Sequence, residues 1–302
     1  MTFLKRAFFF ILVNVLIILT LSAVIAGLEA YFGFNLSNSY SGMIVLYTIF
    51  GMGGAFFSLF TSKWMVKRAM GVQVINPNTT NATEKWILTS VYTYAQKAGL
   101  KKMPEVGIYA ANDMNAFATG PSKNNSLVAV SSGLIESMSK DEVEGVIGHE
   151  IAHIANGDMV TLTLIQGVIN TISMLLARII SDVIASKLDD RGRGASRFAI
   201  YMAVSLVLGI LGSVVVNWFS RHREFRADHG GAMFAGRDKM IKALQRLQAG
   251  QNSFKRNEHY EEPAAVAALK ISSPSKGSFM KRIFMTHPPL EERIRALKAN
   301  SL

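Results

Sequence analysis

The sequence predicts a mainly α-helical fold with a small β-sheet, joined to several transmembrane helices. Three observations lead there. Half of the 302 residues are hydrophobic and mean hydropathy is +0.25, yet the formal net charge is +11, so the apolar residues must be gathered into segments. Uncharged windows cover residues 7–28, 30–62 and 198–220, with a shorter one at 159–177. Between them lie capped helical patterns and, from residue 105 to 135, a cluster of short strand-like runs.

A spanning helix needs about 20 mostly apolar residues. The window at 7–28 contains "FFFILVNVLIILTL", which has no polar face to turn toward water and so does not read as a surface helix of a soluble core. It is longer than the apolar stretch of about 7–15 residues in a cleaved leader and reads as a retained anchor. A second span is expected at about residues 41–62, after the polar turn "NLSNSYSG". Lys5 and Arg6 precede the first span, Lys63, Lys67 and Arg68 follow the second, and only Glu29 lies between. The positive-inside bias then puts both outer flanks in the cytoplasm. Residues 1–62 thus form a two-span membrane anchor.

Residues 63–158 read as a soluble unit. "NPNTTNATEK" is a loop ending in a cap, assigned to Thr83, and "KWILTSVYTYAQKAGL" has helical spacing of Trp86, Val91, Tyr94 and Ala95, stopped by Gly99. "EVGIYA", "NAFATG" and "SLVAVSSGLI" are short and strand-like, with turn residues between. "SKDEVEGVIGHEIAHIANG" is a helix with Ser139 at its N-cap and Asn156–Gly157 at its close. Residues 159–220 form a hydrophobic hairpin whose connection carries Arg178, Lys187, Arg191, Arg193 and Arg197 against Asp182, Asp189 and Asp190. Arg178 and Asp182, one helical step apart, can neutralise each other. Two crossings, against the charge rule, or none, with the segments lying on the surface or within the protein, would return the chain to the side it left; two are expected. Residues 221–302 turn polar again, with loose connections at 249–262 and 271–278 and a short helix at 290–298.

There is no cysteine, which excludes disulfides and thiolate catalysis. The basic excess comes with no base-reading motif, so Lys/Arg flanking a lipid bilayer explains it and no nucleic acid partner is expected.

The chemistry centres on "GHEIAHIANGD". On a helix His149 and His153 stand about 40° apart and can reach one ion, while Glu150, about 100° round from His149, can touch a water on that ion. Two ligands and a general base are the physical content of H-E-x-x-H. A catalytic zinc wants a third protein ligand and an open position. "SRHREFRADHGG" offers one, on what reads as a second helix: Glu224 as ligand, with Asp228 one turn on to accept the free N–H of His149. His222 and His229 are rival ligands, ranked lower because only the Glu–Asp spacing provides both a ligand and its neighbour's partner.

In order, "MNAFATG", "HEIAH", a hydrophobic hairpin, "SRHREFRAD" and "THPPLEERI" resemble the HtpX family of membrane zinc proteases, relatives of the CAAX prenyl endoproteases. The resemblance covers nearly the whole chain. It implies a zincin-like α+β catalytic domain, one Zn2+ per chain held by His149, His153 and Glu224, and Glu150 as base. It also implies His287 and Arg293 as stabilisers of the oxyanion, and Asn115, Ala116 and Phe117 as an edge strand for an extended substrate. The expected activity is cleavage of misfolded or damaged membrane proteins at the cytoplasmic face of a bacterial inner membrane, in quality control and stress response. A CAAX-type endoprotease would need a lipid-accommodating chamber that few spans provide, and an inactive metal-binding scaffold would need no Glu150. Neither substrates nor oligomeric state is legible.

Overall fold

The computed structural model describes residues 27, 30–31, 40–187, 193–254 and 287–299. The first expected span, the tip of the hairpin and most of the two loose connections fall outside these residues. Residues 249–254, expected as part of a connection, are the last turns of a helix.

The chain divides into two compact units, residues 1–53 with 168–208, and residues 54–167 with 209–302. Among the described residues, three helices are long and apolar enough to cross a membrane: Gly42–Ala69, Asp158–Ala185 and Ser196–Ala235. They belong to α1 (Tyr40–Ala69), α5 (Asp158–Ala185) and α6 (Arg193–Ala235). Within the first unit α1 and α5 approach at Gly51, where a Cβ would lie 2.7 Å from the Thr171 backbone nitrogen. Asp182 meets Arg178 one turn back at 3.1 Å, as its spacing predicts, and also Arg197 of α6 at 2.5 Å. One carboxylate thus offsets two guanidinium groups in an apolar hairpin, where unpaired charge is costly.

The second unit is built round helix α4 (Lys140–Asn156). A four-stranded sheet has the order β1-β2-β4-β3, from β1 (Gln73–Val74), β2 (Glu105–Tyr109), β3 (Ala116–Ser122) and β4 (Asn125–Ser131). The pairs β1–β2 and β3–β4 are antiparallel and β2–β4 is parallel, so β3 is an edge. Pro121 fits there, since an edge strand can spare an N–H. Helix α2 (Ala82–Lys97) buries Ile87, Leu88, Val91, Tyr94 and Ala95 against α4. Its cap is Asn81 rather than Thr83: the Asn81 side chain accepts from both Thr83 and Glu84 backbone N–H groups, a reach Thr83 lacks once it is inside the first turn. The helix ends at Gly99 (φ +71°), where Leu100 N–H returns to Ala95 O, a left-handed stop that glycine permits.

"SSGLI", expected to continue a strand, is instead the start of helix α3 (Ser132–Ser137). The Ser131 side chain accepts the Leu134 N–H, and that cap ends β4. Ser139 caps α4 in a reciprocal box with Glu142, and Gly157 (φ +72°) closes it. From Val143 to Ile154 nearly every residue of α4 is buried, because sheet, α2, α6 and α7 (Arg237–Phe254) all pack on it. The last apolar window, 198–220, and the polar segment after it are one continuous helix, α6, not two. Gly236 (φ +108°) breaks it from α7. The short helix α8 (Leu290–Ala299) buries Leu290, Arg293, Ile294 and Leu297.

Candidate metal centre

The line of approach between α4 and α6 sets the site. A Cβ on Gly231 would stand 2.9 Å from the His149 backbone nitrogen, and one on Gly148 would stand 2.9 Å from the Ala235 Cβ. Glycine at both positions lets the helices close. Glu224, Asp228 and Gly231 are spaced by four and three residues, so they share the face of α6 that looks at His149. Glu224 and Asp228 are accordingly buried, whereas His222 and His229 lie on the exposed face.

On α4 the two imidazoles turn inward together. Their Nε2 atoms are 3.1 Å apart, and lie 3.5 Å (His149) and 3.4 Å (His153) from the two Glu224 oxygens. One ligand atom from each of His149, His153 and Glu224 falls within 4.8 Å of the others. The outward nitrogens are occupied. His149 Nδ1 is 2.9 Å from Asp228 Oδ1, and His153 Nδ1 is 2.7 Å from Asp158 Oδ2. A carboxylate accepts a proton's hydrogen bond at each Nδ1, so the tautomer inferred from these partners leaves both Nε2 lone pairs facing Glu224.

This donor set fits a cation. Both Glu224 oxygens are buried without an aligned hydrogen bond among the described residues, a costly state unless positive charge answers it. Burial works to lower the imidazole pKa values, yet the surrounding carboxylates outweigh it, raising His149 and pushing His153 up to about 9. The pocket therefore attracts positive charge. Two imidazoles and a carboxylate are the donors of one common class of catalytic zinc site.

Glu150 is buried beside them. Burial first, then the Glu224 charge, raises its pKa, partly opposed by the two imidazoles and by the Ala118 backbone N–H of β3. His287, at the entry to α8, brings Nδ1 to 2.8 Å from Glu224 Oε2 without hydrogen-bond alignment. Burial pulls its pKa down, against the pull of Glu224. Arg293 is wholly buried and donates from Nε (2.8 Å) and Nη2 (2.6 Å) to the two Asp228 oxygens, with Nη1 3.5 Å from Glu224. Asn115, Ala116 and Phe117 are buried. The Asn115 backbone N–H and C=O are both taken by Ser131, its side-chain amide lacks a hydrogen-bond partner among the described residues, and Phe117 packs on Tyr109. The residue not anticipated is Asp158. It lies within the motif "HIANGD", five residues after His153, and the only sequence signal near it is the glycine at 157, which marks where the helix ends but not where the chain then turns.

A model of "Peptidase family M48" matches residues 81–301. The chain belongs to peptidase family M48. "Protease HtpX" of Shewanella piezotolerans is 50% identical over 303 residues, covering 98% of this chain and all of that protein. "Protease HtpX" of Stenotrophomonas maltophilia is 50% identical over 272 residues, covering 88% of this chain and 90% of the other. The crystal structure of S. mikatae Ste24p is similar in fold, with a TM-score of 0.60 at 16% identity, over 95% of this chain and 65% of that one. The M48 chain described here is therefore a membrane metalloprotease, mostly helical with a small mixed sheet.

Proposed function

We propose that the chain is a zinc-dependent endopeptidase of the cytoplasmic membrane surface, cleaving misfolded or damaged membrane proteins in quality control and stress response. The observation that carries this reading is the convergence of His149 Nε2, His153 Nε2 and a Glu224 oxygen while the outward imidazole nitrogens are held by carboxylates. His149, His153 and Glu224 hold one zinc, and Asp228 orients His149. A zinc ion so held acidifies water and polarises a carbonyl. Glu150 removes the proton from the attacking water and delivers it to the leaving amine, a task that its raised pKa suits. His287 and the buried Arg293 charge stabilise the negative charge that develops on the substrate carbonyl oxygen. The free edge of β3, past Asn115 and next to Glu150, receives the substrate as an added strand.

The membrane setting rests on the same residues. Arg226 Nη2 lies 2.6 Å from Asp158 Oδ1, so the first residue of α5 and the far end of α6 meet. This is what an even number of crossings requires. Lys63, Lys67 and Arg68 close α1, which favours the cytoplasmic side for this end of the chain.

The test is Glu150→Gln in purified, detergent-solubilised protein. Zinc stays near one per chain, and cleavage of an unfolded protein substrate falls by about two to four orders of magnitude. Chelation of the wild type abolishes cleavage and zinc addition restores it. Persisting activity in the variant would remove Glu150 from the mechanism.

A further inference from the structure

We propose that Asp158 is the positioning residue for His153, so that the opening residue of α5 is part of the metal site. The inference rests on the zinc reading above and assigns a group that reading does not use. Asp158 is almost wholly buried and places Oδ2 2.7 Å from His153 Nδ1 and Oδ1 2.6 Å from Arg226 Nη2. Had α4 continued as a helix, residue 158 would stand about 140° round from His153 and face away from it. Gly157, at φ +72° and ψ +31°, stops α4 and turns the chain so that α5 begins on the carboxylate.

Both metal-facing imidazoles thus have a carboxylate at Nδ1, each in turn held by an arginine. For His149 these are Asp228 and Arg293; for His153 they are Asp158 and Arg226. A metal-binding histidine needs such a partner to fix its tautomer and ring plane and to raise its basicity as a ligand. Asp158 joins three helices in doing so: α4 through His153, α5 as its first residue and α6 through Arg226. The position of an apolar helix head is thereby transmitted to a ligand of the ion.

The experiment uses the full-length protein in detergent, with zinc affinity from competition against a chromogenic chelator, the visible spectrum of the cobalt-substituted form, and thermal unfolding of the metal-free form. Asp158→Ala should weaken zinc binding about 10–100-fold and shift the cobalt bands, while the metal-free protein unfolds within a few degrees of wild type. Asp158→Asn keeps an oxygen to accept the Nδ1–H and should lose less. It also carries the test if the alanine variant does not fold. Zinc affinity within twofold of wild type and unchanged cobalt bands would overturn the assignment, as would a loss confined to metal-free stability. If wild-type protein itself binds no stoichiometric zinc, the underlying metal reading fails, which is a different result from tight binding in both proteins.

Discussion

The two arms of the metal centre share a plan and differ in their surroundings. His149, Asp228 and Arg293 are all sealed, with the guanidinium gripping both carboxylate oxygens from α8. His153 and Asp158 are also buried, but their arginine, Arg226, has a side chain 58% exposed. The first arm is core, in which each charge depends on its neighbours because water cannot replace them. The second opens to solvent at the arginine, where water can take over part of its task. The same chemical chain of imidazole, carboxylate and guanidinium should therefore have very different worth at its outer end.

The largest expected effect tests that difference. Arg293→Ala leaves the buried Asp228 without its guanidinium and with only the His149 Nδ1–H as partner, which should cost about 3–5 kcal/mol of stability, read as thermal unfolding of the metal-free protein. Arg226→Ala should cost no more than about 1 kcal/mol, since exposed ion pairs contribute little. Equal losses would erase the distinction between a sealed arm and an open one. A stability loss at Arg293 together with full zinc affinity would separate holding the fold from holding His149.

A smaller effect is expected where α4 meets α6. Gly231→Ala puts a methyl group 2.9 Å from both the His149 backbone nitrogen and the Met240 sulfur. The methionine can shift but the helix backbone cannot without moving α6. The variant should lose about 1–3 kcal/mol and bind zinc more weakly, because Glu224 rides on the helix that must retreat. Unaltered zinc affinity would show that the sealed arm tolerates displacement, contrary to the close packing that defines it.

What could be read in the sequence follows the same division. The His149 arm lies at helical spacings, His149 to His153 and Glu224 to Asp228, so periodicity alone proposes which side chains share a face. Its arginine could be named as a site residue only by resemblance, and its grip on Asp228 depends on where α8 docks, which no local pattern encodes. The His153 arm crosses a helix break, and residue 158 is on the wrong face of any continuous helix. Only the coordinates show that Gly157 turns it back. The cap at Asn81 was missed for a related reason, since Thr83 and Asn81 both precede apolar spacing and backbone geometry chooses between them. "SSGLI" extends a short strand-like run, but the Ser131 hydroxyl captures the Leu134 N–H and starts a helix there. The uncharged stretches at 41–62, 159–177 and 198–220 were legible as helices because nothing but length and apolarity defines them. That the last of these windows and the ligand-bearing segment are one helix was hidden by the change of composition at Arg221.

The smallest effect comes from a carboxylate on the same helix that serves no imidazole. Glu144 of α4 accepts from Trp86 Nε1 at 3.0 Å and from Tyr94 Oη at 2.9 Å, and pairs with the half-exposed Lys239. Burial would raise its pKa, but the Lys239 contact and the two neutral donors outweigh that and lower it. A group held below its ordinary value contributes stability above the unfolded pKa and loses it as pH falls through the folded one. Glu144→Gln should therefore cost about 1 kcal/mol near neutral pH, with the difference from wild type shrinking as pH drops below about 4 and zinc affinity unaffected throughout. If this variant weakened zinc binding as much as Asp158→Ala, the two carboxylates would be indistinguishable supports of α4. The contrast between arms would then reduce to the general stability of one helix.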